Sequence, residues 1–283
     1  MKLSISKAIL EGAQGLIAAG VAEARRESGS LLAHAIGRDR TFIVTHADQS
    51  LEAVAVEAFR KLIERRAAGE PLQYLAGHQE FFKLDFEVTP GVLIPRPETE
   101  LVVEIAQELL KGNLAPFIAD IGTGSGCIAI SLLHELRDAQ AIATDISSAA
   151  LSVARRNAER HGVTDRLTVI ESDCFAKVDP DRPFSLIASN PPYIRDDEME
   201  MLQREVRHEP RTALAGGPDG LDIVRRLLRE ALPFLAKDGH FVFEIGFGQN
   251  TLVEQLINRE IWELIEMRPD LQGIARTVVL RKK

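Results

Sequence analysis

The chain has 283 residues, 45% of them hydrophobic and 27% charged, a composition typical of a soluble globular protein with one large or two modest domains. No apolar run approaches the roughly 18 residues of a membrane span, and the N-terminal stretch lacks the apolar core of a secretory signal. The two cysteines, Cys127 and Cys174, show no metal-ligand spacing and give no sign of a disulfide scaffold. We therefore expect a cytoplasmic protein that binds no metal and does not associate with membranes.

The formal net charge of −8 argues against a nucleic-acid partner. Residues 85–283 carry 32 Asp and Glu against 23 Lys and Arg, whereas residues 1–84 are close to neutral. Enzymes of nucleic acids usually carry a basic footprint, because phosphate contacts dominate their affinity. We expect no direct contact with nucleic acid, although a basic patch assembled by folding would escape this count.

Residues 1–72 are predicted to form a small helical domain. In SLEAVAVEAFRKLIERRAAGEP, apolar residues such as Leu51, Phe59 and Leu62 recur at helical spacing, and the run closes on a glycine and a proline. The strings SKAILEGAQGLIAAG and EARRESGSLLAHAIGR show the same pattern.

The pattern changes at residues 73–95, for which we predict a β-hairpin linker. The strings EFFKLDFEV and GVLIP alternate apolar and polar residues, and Thr89-Pro90-Gly91 between them is typical of a turn. The next string, RPETELVVEIAQELLKG, predicts a helix with Glu98 and Glu100 in an acidic first turn.

Residues 96–283 then alternate apolar strands with amphipathic helices. FIADIG, QAIATDI, LTVIESD, FSLIASN and HFVFEIG read as strands, and strings such as CIAISLLHEL and SSAALSVARRNAERHG between them predict helices. This alternation is typical of an α/β fold with a mostly parallel sheet and helices on both faces. Ligands of such sheets bind beyond the carboxyl ends of the strands, so the site is expected there.

A glycine-rich loop, ADIGTGSGCIAI, joins the first of these strands to its helix, where glycine lets the backbone approach a ligand closely. Asp145 stands 19 residues past Gly126, at the end of the next strand, where a carboxylate can accept both hydroxyls of a ribose. The spacing G-x-G-x-G differs from the dinucleotide fingerprint and resembles the nucleoside-binding loop of class I methyltransferases that use S-adenosylmethionine. The predicted cofactor-binding residues in this region are Gly122, Thr123, Gly124, Ser125, Gly126 and Asp145.

Asp173 and Cys174, in ESDCF, follow the third strand of the series. A carboxylate at Asp173 can accept a hydrogen bond from the exocyclic amine of an adenine. A cysteine such as Cys174 more often packs as a small apolar residue than acts as a nucleophile. Both residues are included in the predicted cofactor site.

The fourth strand ends in Asn190-Pro191-Pro192-Tyr193, where two prolines stop the ladder and stiffen the turn. An amide or aromatic amine nitrogen is a poor nucleophile because its lone pair is delocalised, so an enzyme that methylates one must hold its N–H groups and aim the lone pair. The Asn190 side-chain oxygen and the Pro191 carbonyl are the two predicted acceptors, and Tyr193 offers a flat face to a planar group. Asn190, Pro191 and Tyr193 are the predicted catalytic residues; Pro192 joins them in binding the substrate, and Asn190 also borders the cofactor.

The residues alone leave three interpretations open. The turn could be a plain strand end, although its place after the glycine loop argues against this. The acceptor nitrogen could belong to an amide or to an adenine or guanine amine of nucleic acid, which the acidic C-terminal part disfavours. A binding module with an inactive nucleoside fold is the third, and the intact motifs count against it.

LIPRPETE, upstream of the glycine loop, and EVRHEPRTALAGGPDGLD, after the NPPY turn, narrow the choice. Together with NPPY they are similar to the peptide chain release factor glutamine methyltransferases (the PrmC/HemK type). Relatives that act on a ribosomal-protein glutamine generally lack the full PRPETE string. The resemblance spans essentially the whole chain, with the helical part matching only in pattern.

The resemblance implies a class I methyltransferase (Rossmann-like) domain over residues 96–283 with an antiparallel C-terminal strand, and N-terminal helices that recognise the release factor. It implies methyl transfer from S-adenosylmethionine, leaving S-adenosylhomocysteine, to the glutamine amide of the Gly-Gly-Gln motif in class 1 release factors. Arg96 and Glu98 would either close over the cofactor or pair to fix the loop between the domains. A monomer is expected.

Overall fold

The structure is a computed structural model that describes residues 3–179 and 181–283. Within these ranges no helix combines the length and the apolar character needed to cross a membrane. The α-helices are α1 (Ile5–Ala18), α2 (Ala24–Ala35), α3 (Arg40–Thr45), α4 (Ala53–Ala67), α5 (Leu72–Ala76), α6 (Glu100–Leu110), α7 (Cys127–Glu135), α8 (Ser148–Arg160), α9 (Arg211–Leu214), α10 (Asp222–Glu230) and α11 (Asn250–Leu256). The strands are β1 (His78–Phe81), β2 (Leu84–Glu87), β3 (Phe117–Ile121), β4 (Gln140–Asp145), β5 (Leu167–Glu171), β6 (Phe184–Ser189), β7 (Leu235–Glu244), β8 (Trp262–Pro269) and β9 (Ala275–Lys282).

The chain folds as two compact units. The helical unit comprises the described residues up to His78 together with Gln203–His208, and the α/β unit comprises Gln79–Leu202 and Glu209–Lys283. The short segment Gln203–His208 thus belongs to the helical unit although it lies far along the chain, beyond the NPPY turn.

Helices α1, α2 and α4 of the helical unit pack around an apolar core, because each presents buried residues at helical spacing. Each helix buries one face against its neighbours, as expected of a small bundle, while some apolar residues, such as Leu10 and Ile17 on α1, stay exposed. The core includes Ile5, Ala8, Leu31, Leu32, Ile43, Leu51, Phe59 and Leu75.

A buried ion network ties Gln203–His208 to this unit. The Arg66 side chain on α4 donates from Nε to Glu27 Oε2 at 2.6 Å and from Nη1 to Glu205 Oε1 at 3.0 Å. Arg66 is only 5% exposed. An unpaired guanidinium at that depth would be strongly destabilising, and the two carboxylates offset the cost of burying it.

Gly12 on α1 lies where neighbouring helices come close together. A Cβ there would lie 2.5 Å from Ser28 Oγ and 2.6 Å from Phe59 Cζ. We expect Gly12→Ala to lower the free energy of unfolding by about 1–3 kcal/mol, since overpacking outweighs the better helix propensity of alanine. The control is Gly15→Ala on the same helix, where the Cβ would meet Ile63 Cγ2 at 3.6 Å and the change should be neutral or stabilising. Urea unfolding checks both variants, and equal stability of the two would contradict the packing argument.

The sequence predicts the hairpin turn at Thr89-Pro90-Gly91, and this prediction is wrong. Strands β1 and β2 are joined at Phe82 and Lys83, which have φ of 49° and 63°. Positive φ at both central residues is typical of a type I′ turn, for which Asn-Gly or Asp-Gly is the usual signal. Neither dipeptide occurs here, so the sequence pattern placed the turn one strand too late, and residues 92–96 form no strand.

The remaining strands form a seven-stranded sheet in the order β5-β4-β3-β6-β7-β9-β8. All pairs of neighbouring strands from β3 to β7 are parallel. Strand β9 is antiparallel to both of its neighbours, β7 and β8. The predicted α/β fold, with a mostly parallel sheet and an antiparallel C-terminal strand, is confirmed.

Helices cover both faces of this sheet. Helices α6, α7 and α8 pack on one face, and α10 and α11 pack on the other. Successive strands lead outward from β3 to β5 on one side and from β6 to β7 on the other, so the connections reverse direction between β3 and β6. In open α/β sheets such a switch point leaves a crevice at the carboxyl ends of the strands, which is where the ligand binds.

Candidate active site

A cavity of about 480 Å³ lies at the carboxyl ends of the central strands. Small-molecule sites commonly span about 300–1,000 Å³, so the cavity is large enough for a nucleoside-sized ligand. From the loops singled out in the sequence it is lined by Gly122, Gly124, Asp145, Asp173, Cys174, Asn190, Pro191 and Pro192. From segments whose residues were not predicted to form the site it is lined by Gly91, Val92, Leu93, Pro210, Arg211, Thr212 and Ala213.

The glycine loop runs from the end of β3 into α7. Gly122, Gly124 and Gly126 have φ of 76°, 56° and 84°, values that residues with a side chain rarely adopt. At Gly122 and Gly124 no described atom lies within 4 Å of where a Cβ would be, so their backbone is open to close approach. A Cβ at Gly126 would lie 2.7 Å from Ile130 Cδ1, so this glycine serves the packing of α7.

The polar residues between the glycines face the interior and are not among the described residues that line the cavity. Thr123 Oγ1 donates to Asp120 Oδ2 at 2.6 Å, and both residues are buried. The Ser125 carbonyl accepts from Asn157 Nδ2 at 2.9 Å. Burial raises the pKa of Asp120 to about 6 although two hydrogen bonds oppose the shift. Thr123 and Ser125 therefore shape the loop from behind.

Asp145 ends β4 and lines the cavity. Its Oδ2 accepts from the backbone N–H of Gly124 at 2.9 Å, and its Oδ1 accepts from that of Ser147 at 2.9 Å. Burial raises the pKa of Asp145, while these backbone donors act in the opposite direction. Each carboxylate oxygen can accept along two lone pairs, so the side chain is held in place and still has acceptor capacity for a ligand.

Asp173 and Cys174 follow β5 and both line the cavity. Asp173 Oδ1 accepts from Arg226 Nη1 at 2.5 Å, so part of its hydrogen-bonding capacity is used by α10. Burial raises the pKa of Cys174 to about 11, which keeps the thiol protonated at neutral pH. Cys174 therefore contributes a small, weakly polar wall and no nucleophile.

The NPPY turn begins directly after β6. Asn190 Nδ2 donates to Thr99 Oγ1 at 2.9 Å, which leaves the amide oxygen as the branch that points away from Thr99. Asn190, Pro191 and Pro192 all line the cavity. The structure thus brings an amide, a rigid turn, the open part of the glycine loop and Asp145 to one place.

Tyr193 is not among the described residues that line the cavity. Its hydroxyl donates to Glu244 Oε1 at 3.2 Å, and its carbonyl accepts from Gln249 Nε2 at 3.0 Å. Burial and the nearby Glu244 raise the pKa of the Tyr193 phenol, so it remains a hydrogen-bond donor. In this structure Tyr193 fastens the turn to the end of β7.

Sequence reasoning missed two buried polar residues behind the turn. Thr99 and Glu244 are 2% and 1% exposed, and Thr99 Oγ1 donates to Glu244 Oε2 at 2.6 Å. Thr99 stands inside PRPETE, and Glu244 is a carboxylate at the end of the buried strand HFVFE. A carboxylate at the end of an apolar strand is expected to be buried and to have a perturbed pKa, which is a feature of functional sites. The sequence therefore did contain a signal for Glu244.

Arg96 is paired, but with Glu209 instead of Glu98. Arg96 Nη2 donates to Glu209 Oε1, and Glu209 Oε2 accepts from the Ile94 N–H at 3.0 Å. Glu209 is buried next to Pro210, which lines the cavity. Arg96 therefore joins the PRPETE segment to the chain that forms one wall of the cavity.

The sheet order, the glycine loop after β3 and the carboxylate at the end of β4 define an α/β methyltransferase domain. Residues 98–218 match the profile of the methyltransferase small domain, and residues 7–77 match that of the PrmC N-terminal domain. The chain is 44% identical over 250 residues to the release factor glutamine methyltransferase of Burkholderia pseudomallei, covering 87% of this chain and 88% of that protein. It is 45% identical over 254 residues to the enzyme of the same name from Moorella thermoacetica, covering 90% and 89%. The chain belongs to the release factor glutamine methyltransferase family.

A solved structure supports the fold assignment. The T. thermophilus 16S rRNA N2 G1207 methyltransferase (RsmC), in complex with AdoMet and guanosine, superposes with a TM-score of 0.51 at 16% identity. The match covers 73% of this chain and 49% of that chain. At this identity the likeness establishes the fold alone.

Proposed function

We propose that the protein transfers a methyl group from S-adenosylmethionine to the side-chain amide nitrogen of the glutamine in the Gly-Gly-Gln motif of class 1 peptide chain release factors. The observation that carries this proposal is the meeting of Asn190-Pro191-Pro192 with the glycine loop at one cavity, in a chain that belongs to this family. In this proposal one side of the cavity takes the nucleoside, and Asn190 and Pro191 on the other side supply the two acceptors for the NH₂ group.

The lining of the cavity fits S-adenosylmethionine. The bare backbone at Gly122 and Gly124 permits close approach, and Asp145 retains acceptor capacity for two ribose hydroxyls. Asp173 and Cys174 would border the adenine. When bound, S-adenosylmethionine supplies an electrophilic methyl group on a positively charged sulfur.

Asn190 and Pro191 would hold the substrate amide. The Asn190 Oδ1 and the Pro191 carbonyl would accept hydrogen bonds from its two N–H groups, which fixes the direction of the nitrogen lone pair. Because the prolines fix φ along the turn, the two acceptors keep a constant angle. A strong base is not required before attack, since the nitrogen loses its proton readily only after it has been methylated. The ionisable groups behind the turn, Tyr193 and Glu244, are hydrogen-bonded to each other and are not needed as a base for this step.

We further propose that the helical unit recognises the body of the release factor. A groove of about 740 Å³ on this unit is lined by Leu10, Ile17 and Val44, which are 56%, 66% and 70% exposed, and by Arg25 and Arg26. Single exposed apolar residues are ordinary, but several in one groove are typical of a protein-binding surface.

We expect the double variant Ile17→Ser/Val44→Ser to raise KM for an intact release factor about tenfold, because two apolar contacts would be lost. KM for a short Gly-Gly-Gln peptide should not change, since a short peptide reaches only the cavity. Leu252→Ser is the control: it removes an exposed apolar side chain from α11 in the α/β unit, and both KM values should stay unchanged. Steady-state kinetics with both substrates checks this, and equal effects of the double variant on the two would contradict a recognition role.

The function is tested by offering labelled S-adenosylmethionine with purified release factors, ribosomal proteins and RNA in parallel. Label in the release factor is expected, and mass spectrometry should locate it on the glutamine of Gly-Gly-Gln. Label in a ribosomal protein or in RNA alone would overturn the proposal.

A further inference from the structure

A chain of buried polar groups lies directly behind the NPPY turn. Asn190 Nδ2 donates to Thr99 Oγ1 at 2.9 Å, and Thr99 Oγ1 donates to Glu244 Oε2 at 2.6 Å. The hydroxyl of Tyr193 donates to the second carboxylate oxygen, Oε1, at 3.2 Å. The four residues come from PRPETE, NPPY and the end of β7, which are far apart in sequence and meet only in the folded protein.

The donors and acceptors that these side chains possess give this series of hydrogen bonds a fixed direction. An ionised carboxylate only accepts, so Glu244 requires a donor at each of its two occupied oxygens. Thr99 has a single hydroxyl hydrogen, which goes to Glu244, so only its lone pairs remain for Asn190. The end of the Asn190 amide that faces Thr99 must therefore be the NH₂ group.

An asparagine amide has two ends of nearly equal size, and a half-turn about the last side-chain bond exchanges them. An Asn190 turned that way would present NH₂ to the substrate, where the NH₂ of a glutamine needs an acceptor. Two facing donors would repel each other and leave a buried group unsatisfied, which costs about 1–3 kcal/mol. The orientation of this one amide therefore decides whether the site can hold its substrate.

We propose that Glu244 and Thr99 are positioning residues that set the orientation of Asn190, so that its side-chain oxygen faces the cavity. This inference rests on the proposed function, because it assigns a purpose to the Asn190 oxygen in methyl transfer. Neither residue lines the cavity, so both act through Asn190. Tyr193 supports the same arrangement by supplying the second donor to Glu244.

The surroundings of Glu244 make the arrangement sensitive to pH. Burial raises the pKa of Glu244 to about 7, against the hydrogen bonds from Thr99 and Tyr193 and the charge of Arg276 on β9, while Glu98 acts with burial. Cys127 on α7 interacts electrostatically with this carboxylate, and burial keeps the Cys127 thiol protonated. Below about pH 7 a protonated Glu244 can itself donate to Thr99, and the direction of the chain is no longer fixed.

The test compares Thr99→Val, which removes the hydroxyl at nearly constant volume, with Thr99→Ser, which keeps it. Thr99→Val is expected to lower kcat about tenfold to a hundredfold, the range for leaving one buried hydrogen-bonding group unsatisfied. KM for the release factor and the Kd of S-adenosylhomocysteine should stay within about threefold, because neither site loses a contact. Thr99→Ser should recover most of the rate.

The matched control is Thr277→Val. Thr277 is fully buried on β9 directly opposite Glu244, and its hydroxyl has no hydrogen-bond partner among the described residues. Thr277→Val removes a buried hydroxyl next to Glu244 but leaves the hydrogen bonds between Asn190, Thr99 and Glu244 intact. Its kcat should therefore equal that of the wild type. A loss of rate in Thr277→Val as large as in Thr99→Val would show a general packing effect and overturn the proposal.

Glu244→Gln provides a second reading that does not depend on the Thr99 variants folding. In the wild type, kcat should rise with pH through about 7 as Glu244 ionises. Glu244→Gln cannot ionise, so its kcat should be lower and should lose this rise. An unchanged pH profile in Glu244→Gln, or a Thr99→Val rate equal to that of wild type, would overturn the positioning role. Wild-type protein that does not methylate a release factor would instead overturn the proposed function.

Discussion

Asn190→Ala is expected to lower kcat for release-factor methylation by about a thousandfold, the upper end of what removal of one preorganised hydrogen-bonding group costs at a reacting centre. The effect should be large because Asn190 has two tasks: its oxygen would hold the substrate amide, and its NH₂ ties the turn to Thr99. The Kd of S-adenosylhomocysteine should change no more than a few-fold, since Asp145 and the glycine loop keep their own hydrogen bonds. A radiolabelled methyl assay and calorimetric titration measure the two quantities.

Asn113→Ala is the matched control for this experiment. Asn113 Nδ2 also donates to a hydroxyl, that of Ser185 at 3.1 Å, but near the opposite end of β6 from the cavity. Its loss should leave both kcat and cofactor binding unchanged. Turnover of Asn190→Ala within tenfold of wild type would show that the NPPY turn does not hold the reacting nitrogen.

The centre of the sheet could be predicted from the sequence because its strands β3 and β6 are almost entirely buried. The edge strand β8 is mostly half-buried and has no continuous apolar run, and it was not predicted. β3 and β6 read as apolar runs, FIADI and FSLIAS, and the helices between them carry a different period. The hairpin turn could not be placed, because Phe82 and Lys83 adopt positive φ without the glycine or asparagine that normally marks such a turn.

The parts of the site that lie at strand ends were also visible in the sequence. Parallel strands bring their carboxyl ends to one edge, so Gly122, Asp145 and Asn190 were expected near each other before any contact was known. The direction in which a side chain points was not visible. Tyr193 points to Glu244, because the position of β7 against the turn decides its partner.

Partners that are distant in sequence escaped prediction altogether. Glu205 joins the helical unit through Arg66, which is 139 residues away, and no local pattern reports such a pairing. The Thr99–Glu244 contact is of the same kind: a carboxylate that ends the apolar strand HFVFE stands out in the sequence, but no local pattern reports that Thr99 is its partner. Buried polar residues that hydrogen-bond to each other are the hardest to predict from a sequence, because each residue is buried only when its distant partner is present.

Asp145→Ala is expected to raise the Kd of S-adenosylmethionine about a hundredfold, since hydrogen bonds to a charged acceptor contribute about 1.5–3 kcal/mol each. With saturating cofactor, kcat should stay within a few-fold of wild type, because Asn190 and Pro191 are untouched. Asp173→Ala is the comparison at the same edge of the cavity. Its carboxylate is half-exposed and already paired with Arg226, so its loss should raise Kd by no more than about threefold.

Asp145 also accepts from the backbone of Gly124 and Ser147, so weaker binding by Asp145→Ala has two possible causes. An S-adenosylhomocysteine analogue without the ribose 2′-hydroxyl separates them. If Asp145 accepts from that hydroxyl, the analogue should bind wild type about tenfold more weakly than the parent compound, and Asp145→Ala should bind the two equally. An equal loss in both proteins would mean that Asp145 acts only by holding the glycine loop. The two contributions differ in this double comparison because one needs the ligand's hydroxyl and the other is complete within the protein.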